Sequence, residues 1–289
     1  MSMKTTRTLW IALLALAPAM AGTVASAQTT LESLRKAGTV KHGIANDAPY
    51  GYSDPSGKTV GIEVELANEI VKKLGVAGYE PVVTTFGALI PGVKANRFDV
   101  ASDAIYIRAE RCKQVHFADP HLMFGEGAVV AKGNPKKVTS VEDLVKDSTI
   151  RIGMTTGGSQ HKSFLMAGGK QEQLQDYPDR ATLVAALRSG RIDVALLTAM
   201  GAISMYETNK DQPFELVEDF KPLIKDGKPV VSYAAFAFRP EDKEFANAFN
   251  AELQTIIYSP AYAELMTKYG LKPTMLPPKG SKAEDACKE

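Results

Sequence analysis

The sequence has little that would support metal, nucleic-acid or nucleophilic chemistry. Its four histidines, His42, His116, His121 and His161, are scattered and share no metal-ligand spacing. They read as structural or surface residues. No Ser-His-Asp or Cys-His arrangement is evident. No Gly-x-x-x-x-Gly-Lys phosphate loop occurs. An excess of one charge is missing too: the net charge is +1 at pH 7 and no basic patch dominates. That argues against a nucleic-acid partner. Beyond the N-terminus no apolar run reaches membrane-spanning length. Repeats and low-complexity stretches are absent, and the single tryptophan, Trp10, falls in the N-terminal segment.

What is present begins with an export signal. Lys4 and Arg7 form a positive start, Leu9 to Met20 an apolar stretch too short to span comfortably, and Ala25-Ser26-Ala27 a small-residue cleavage site. An uncleaved anchor is the alternative. No cysteine follows the apolar stretch, which speaks against a lipid-anchored form. The expectation is a signal peptide over 1–27 and a soluble periplasmic protein. Removing 27 of 289 residues leaves 262, enough for two domains. The leader carries two bases and no acid, so +1 becomes −1 in the mature chain. Only Cys112 and Cys287 remain as thiols. In an oxidising compartment an even pair suggests a disulfide, the alternative being two unpaired thiols.

Strands and helices alternate along the chain. Leu31 to Lys36 predicts a short helix and Thr39 to Ala45 a strand. Asn46 to Gly61 is a loop with a turn at Asp54-Pro55-Ser56-Gly57. Ile62, Leu66, Ile70 and Leu74 recur every four residues, as on an amphipathic helix closed by Gly75. Tyr79 to Thr84 is the next strand. Ala128 to Lys132 reads as a strand leaving the first lobe, with Gly133-Asn134-Pro135 as a hinge. Ser140 is a helix N-cap, followed by strands over 149–153, 192–197 and 214–217 and helices over 181–187 and 199–206. Pro229 to Phe238 is an apolar strand returning to the first lobe. The helix over 241–257 carries Phe245, Phe249, Leu253 and Ile256 on one face, and a shorter one spans 260–269. The tail from Lys272 reads as loosely ordered. Such alternation implies mostly parallel sheets with helical crossovers, and two crossings between lobes imply a hinge.

The most informative stretch is Phe86 to Asp119. Leu89, Ile90, Val93 and Lys94 suggest a short helix, Phe98 to Ala104 a strand, and Tyr106 to Arg111 a turn into one helical turn. A side chain just past a strand's C-terminal end points into the crevice of an open α/β sheet. Arg111 stands there, and its planar fork suits a carboxylate. The alternative is a surface ion pair with Glu110 or Asp119. Gly157-Gly158-Ser159 is a Gly-rich loop after a strand that opens a helix, offering free backbone N–H groups. Asp47, Tyr50, Phe86 and Tyr106 each sit in a loop after a strand or where a helix starts.

Leu89-Ile90-Pro91, Phe98-Asp99-Val100 and Glu110-Arg111 in this order resemble the extracytoplasmic solute-binding proteins of amino-acid ABC importers. The resemblance runs from about Val40 to Gly270. It implies an α/β, two-lobed periplasmic binding protein fold of type II, each lobe a mostly parallel sheet flanked by helices, with a two-strand hinge. The first lobe would be 28–131 plus 235–289, the second 132–234, with crossings near 129–135 and 229–235. It implies no cofactor, a monomer, and membrane permease and ATPase subunits as partners. By the resemblance Arg111 holds a ligand carboxylate, Ser159 grips it from the other lobe with the Gly158 N–H, and the first loop supplies ligand-contacting aromatics.

Two departures narrow the ligand. Many amino-acid binders have a small hydroxyl residue where this chain has Tyr106, and an ammonium-holding Asp where it has Thr198. The pattern resembles the ectoine and hydroxyectoine subgroup, with an acid at Asp47, aromatics at Tyr50 and Tyr106, a Glu-Arg-Cys run and a C-terminal Cys. The ligand implied is a small zwitterion, its cation facing Asp47 and the rings. Binding of an ordinary polar amino acid is the alternative. A periplasmic dehydratase is a further one, but a general acid would be expected at the strand end that carries Thr198. A sensor domain is a third class.

Overall fold

The computed structural model describes residues 30–225 and 227–288, so the expected leader lies outside them. α1 (Thr30–Ala37) buries Leu31 and Leu34 against the first lobe. There follow β1 (Thr39–Ile44), α2 (Ile62–Lys73), β2 (Gly78–Val83), α3 (Leu89–Lys94), β3 (Val100–Ala101), α4 (Ala109–Cys112) and β4 (His116–Phe117). The four-residue spacing in α2 turns Ile62, Leu66 and Ile70 inward. Gly75, at φ 77°, ends that helix in a conformation side chains disfavour.

β5 (Leu122–Phe124) leads out of the first lobe. The second lobe contains β6 (Glu126–Ala131), α5 (Val141–Lys146), β7 (Ile152–Thr155), α6 (Gln160–Met166), β8 (Leu174–Tyr177), α7 (Arg180–Arg188), β9 (Val194–Thr198), α8 (Ala199–Glu207) and β10 (Phe214–Leu216). β11 (Ser232–Ala234) leads back to β12 (Ala237–Phe238), α9 (Lys243–Ile256), α10 (Pro260–Lys268) and α11 (Ala283–Ala286).

The two lobes share one design. The first sheet has the order β2-β1-β3-β12-β4, the second β8-β7-β9-β6-β10. Four strands in each run in one direction, and the strand arriving from the hinge lies antiparallel to them, second from the edge. The hinge is the antiparallel pair β5–β11, with Leu122 opposite Ala234 and Phe124 opposite Ser232.

Several expectations shift. The strand read as leaving the first lobe over 128–132 is β6, wholly within the second sheet. The crossing lies earlier, at β5. Gly133 and Asn134, both at positive φ, make a turn after β6 rather than a hinge. Punctuation residues mark turns wherever they fall, and a buried apolar strand looks alike in either lobe. β8 was not anticipated: Leu174-Gln175-Asp176-Tyr177 is an edge strand with too few apolar residues to show a period. The tail is ordered by contacts. Ala283 and Ala286 are buried, and Asp119 accepts the Ala283 N–H (3.1 Å) and pairs with Lys282 (2.8 Å). Cys112 and Cys287 are joined in a disulfide.

The first lobe's core holds Phe236, Phe238, Phe245 and Phe249, the last three meeting edge-on. Beside them lies a buried polar group. Glu63 accepts from His121 (2.8 Å) and from the Ala104 N–H (3.1 Å), while His42 bonds Ser102 (2.8 Å) and Tyr79. These two histidines are structural, and they brace the end of β3, where the chain enters the cleft.

His42 gives this core a pH dependence. Burial, the largest cause, lowers its pKa from 6.5 to about 4. Between those values the unfolded chain binds a proton that the folded one refuses, so stability falls with acid. One group shifted this far contributes at most about 3 kcal/mol, present above pH 6.5 and lost by about pH 4. Glu63, held below the ordinary carboxylate range by His121 and its hydrogen bonds against the opposing pull of burial, acts in the same sense lower down. Urea unfolding of wild type and His42→Gln across this range checks it. Parallel curves for the two proteins would remove His42 as the cause.

Candidate functional site

The strand ends of both sheets face each other across a closed cleft. Arg111, on α4, lies 8% exposed between the lobes. Its guanidinium donates to the Tyr106 carbonyl of its own lobe and the Gly157 carbonyl of the other, each at 2.8 Å. The Phe86 ring lies beneath it, 5.7 Å from centroid to guanidinium carbon. Burial, then neighbouring Arg108, lowers the Arg111 pKa to about 10, so it keeps its charge at neutral pH. Gly87 and Gly157 let the lobes meet backbone to backbone: a Cβ on Gly157 would stand 3.0 Å from the Gly87 Cα.

The aromatic residues form one wall. Tyr50 is fully buried, and its hydroxyl meets the Thr198 hydroxyl across the cleft at 2.9 Å. Phe124, from the hinge strand, stands between Tyr50 and Tyr106, with both ring centroids 5.7 Å away. Tyr106 points its hydroxyl at the Gly125 carbonyl (3.5 Å). Burial pushes both tyrosine pKa values well above 10.0. They are neutral hydrogen-bonding rings.

The opposite wall differs from expectation in detail. Ser159 begins α6 and is buried, with no cap bond from its side chain. The Gly158 N–H donates to the Thr155 carbonyl at 2.9 Å, so it closes a turn rather than facing the cleft freely. Thr198 caps α8 through the Gly201 N–H (3.0 Å). Asp47 is paired with Arg180 of α7, whose other arm donates to the Gly201 carbonyl at 2.6 Å. Asp47, Phe86, Asp103, Ser159, Arg180 and Thr198 surround a cavity of about 30 Å³. Further contacts hold the lobes together: Lys162 to Glu110 at 2.7 Å and Arg108 to Ser163 at 3.2 Å.

The structure places Arg111 against Phe86 and Gly157, and Thr198 against Tyr50, between the lobes, with Asp47, Gly158 and Ser159 lining the cavity there, while Tyr106 meets Phe124 and Gly125 at the hinge. It adds Arg180, Phe124 and Asp103. Asp103 had a legible signal, a polar residue ending a buried strand. Arg180 had none, because its partner Asp47 lies 133 positions away. Among the described residues no group of His, Cys, Asp and Glu could hold a metal ion, and no helix is long and apolar enough to cross a membrane.

Known proteins share this design. Residues 40–272 match the family described as bacterial extracellular solute-binding proteins, family 3. A probable amino-acid ABC transporter periplasmic-binding protein of Sinorhizobium fredii is 34% identical over 246 residues, 84% of this chain and 81% of that one. The crystal structure of EhuB in complex with hydroxyectoine superposes with a TM-score of 0.76 at 29% identity, covering 90% of this chain and 95% of that one. An ancestral amino acid-binding protein, a precursor of cyclohexadienyl dehydratase, has a TM-score of 0.70 at 27% identity, covering 83% and 99%.

Proposed function

The chain belongs to the bacterial extracellular solute-binding proteins of family 3, and from that premise we propose that it is the periplasmic binding component of an ABC importer, taking a small zwitterion of the ectoine and hydroxyectoine kind. The observation that carries the reading is Arg111. A buried guanidinium at a seam between two hinged lobes, held by backbone carbonyls of both and, among the described residues, by no carboxylate, is prepared for an anionic ligand group. Ser159 faces the same cleft and would bind that carboxylate from the second lobe. Tyr50, Phe86, Phe124 and Tyr106 would wall the cationic part. A delocalised cation is weakly hydrated and tolerates ring faces, whereas a primary ammonium needs hydrogen bonds that Thr198 supplies poorly. The likeness to EhuB supports the same ligand class. Membrane permease and ATPase subunits would receive the closed, loaded form, and closure would occur about the β5–β11 pair.

Catalysis is not part of this reading. A dehydratase needs a general acid in the cleft, and Thr198 stands at the strand end where one would be expected. Burial raises the Glu126 pKa to about 7, but Glu126 lines a separate cavity with Arg108 and Ser163. A turnover assay with prephenate and arogenate is expected to show none.

Calorimetry with ectoine, hydroxyectoine, a betaine and a panel of polar amino acids tests the ligand class. A ligand present at 100 times its Kd should also add about 2.7 kcal/mol of stability. Binding of a polar amino acid alone would replace the ectoine-like reading with a general amino-acid one.

A further inference from the structure

Asp103 is a carboxyl without enough partners. It follows β3 in Ser102-Asp103-Ala104, where φ is 151° at Asp103 and 51° at Ala104. Non-glycine residues rarely adopt such angles, and they persist where surroundings over-determine them. Here the surroundings are Glu63, which takes the Ala104 N–H, and the His121 bonded to it. The side chain is 1% exposed and lines the interlobe cavity beside Asp47, Ser159, Arg180 and Thr198. Its Oδ2 accepts the Ala45 N–H. Its Oδ1 has no hydrogen-bond partner among the described residues, an arrangement that is costly for a buried polar atom.

The charges around it do not compensate. Asp47, from the loop after β1, and Glu63, from α2, both disfavour a third negative charge. Arg180, from α7, is the cation facing it; one arm goes to Asp47 and the other to the Gly201 carbonyl, its Nε–H has no hydrogen-bond partner among the described residues, and its charge only partly offsets the two acids. Burial first, then Asp47 and Glu63, push the Asp103 pKa well above 3.8. The cleft thus holds one acid bonded to a protein cation and a second with no hydrogen bond to one among the described residues.

We propose that Asp103 receives the cationic end of the ligand, through an N–H of an amidinium or ammonium, and gives up its own proton as that N–H seats on Oδ1. The proposal rests on the reading of the cleft as a zwitterion site. In the step, the carboxylic O–H bond breaks, its proton passes to the solvent buffer, and a carboxylate–cation pair replaces the neutral acid. A quaternary betaine has no N–H to donate and gains least. Asp103 therefore selects N–H-bearing cations over betaines, while Asp47, with Arg180, latches the lobes.

Calorimetry in two buffers of different ionisation enthalpy tests this, using ectoine or whichever N–H-bearing zwitterion of the panel binds. Expected are proton release on binding and an affinity that rises with pH while Asp103 is protonated in the free protein. Asp103→Asn should bind about ten- to a hundredfold more weakly and release no proton. Asn mimics the neutral acid and can still accept the Ala45 N–H, so its thermal unfolding should match wild type. Asp47→Asn should reduce the proton release, because it removes a charge that raises the Asp103 pKa and frees Arg180. If the ligand binds wild type without proton release, or a betaine binds as tightly, the inference falls and the zwitterion reading stands. The wild-type measurement decides even if Asp103→Asn does not fold. If no zwitterion gives heat with wild type, both fall.

Discussion

Arg111→Ala is expected to abolish measurable ligand binding while leaving a folded protein. Removing one partner of a buried, hydrogen-bonded charge pair costs about 2–5 kcal/mol, or roughly 30- to several-thousand-fold in affinity. The fold should tolerate the change for a specific reason. Arg111 bonds backbone carbonyls of Tyr106 and Gly157, and burial opposes its charge. Truncation loses two hydrogen bonds but also relieves a desolvated cation. Arg111→Lys should fall between, since a point charge replaces a fork. Calorimetry beside circular dichroism measures both sides. Unchanged affinity in Arg111→Ala would remove the residue from the site and take the zwitterion reading with it.

The second large effect concerns stability. The Cys112–Cys287 bridge closes a loop between positions 175 apart, for which the chain-entropy account gives at most about 5 kcal/mol. It ties the tail to α4, one residue beyond Arg111. The double Cys→Ser variant should unfold at clearly lower denaturant. The loss should be smaller than the limit if the Asp119 contacts to Lys282 and Ala283 hold the tail without the bond. Equal urea midpoints for variant and wild type would show that the bond adds nothing to those contacts.

Several elements are legible in the sequence itself. α2 showed itself because its apolar residues recur at the helical period. α9 did so through Phe245, Phe249, Leu253 and Ile256, all buried. Arg111 was legible because it closes an ordered series of motifs and its planar fork suits a carboxylate. β8 was not, since an edge strand needs little apolar surface. The hinge was misplaced because Gly and Pro report local turns, whereas a lobe boundary is a matter of which sheet a strand joins.

Sequence alone therefore determined the local periods and the two-lobed family, and it pointed to an export context and to Arg111 as the proposed carboxylate anchor. Each of these depends on residues close together in the chain or on an ordered series of motifs. Tertiary structure alone decided that Asp47 is paired with Arg180, that Thr198 meets Tyr50, and that Asp103 lies in the cleft short of a partner. These contacts join the loop after β1 to helices and strands more than a hundred residues later. Electrostatic pairing falls off over a few ångströms, and only closure of the lobes brings those groups within that range.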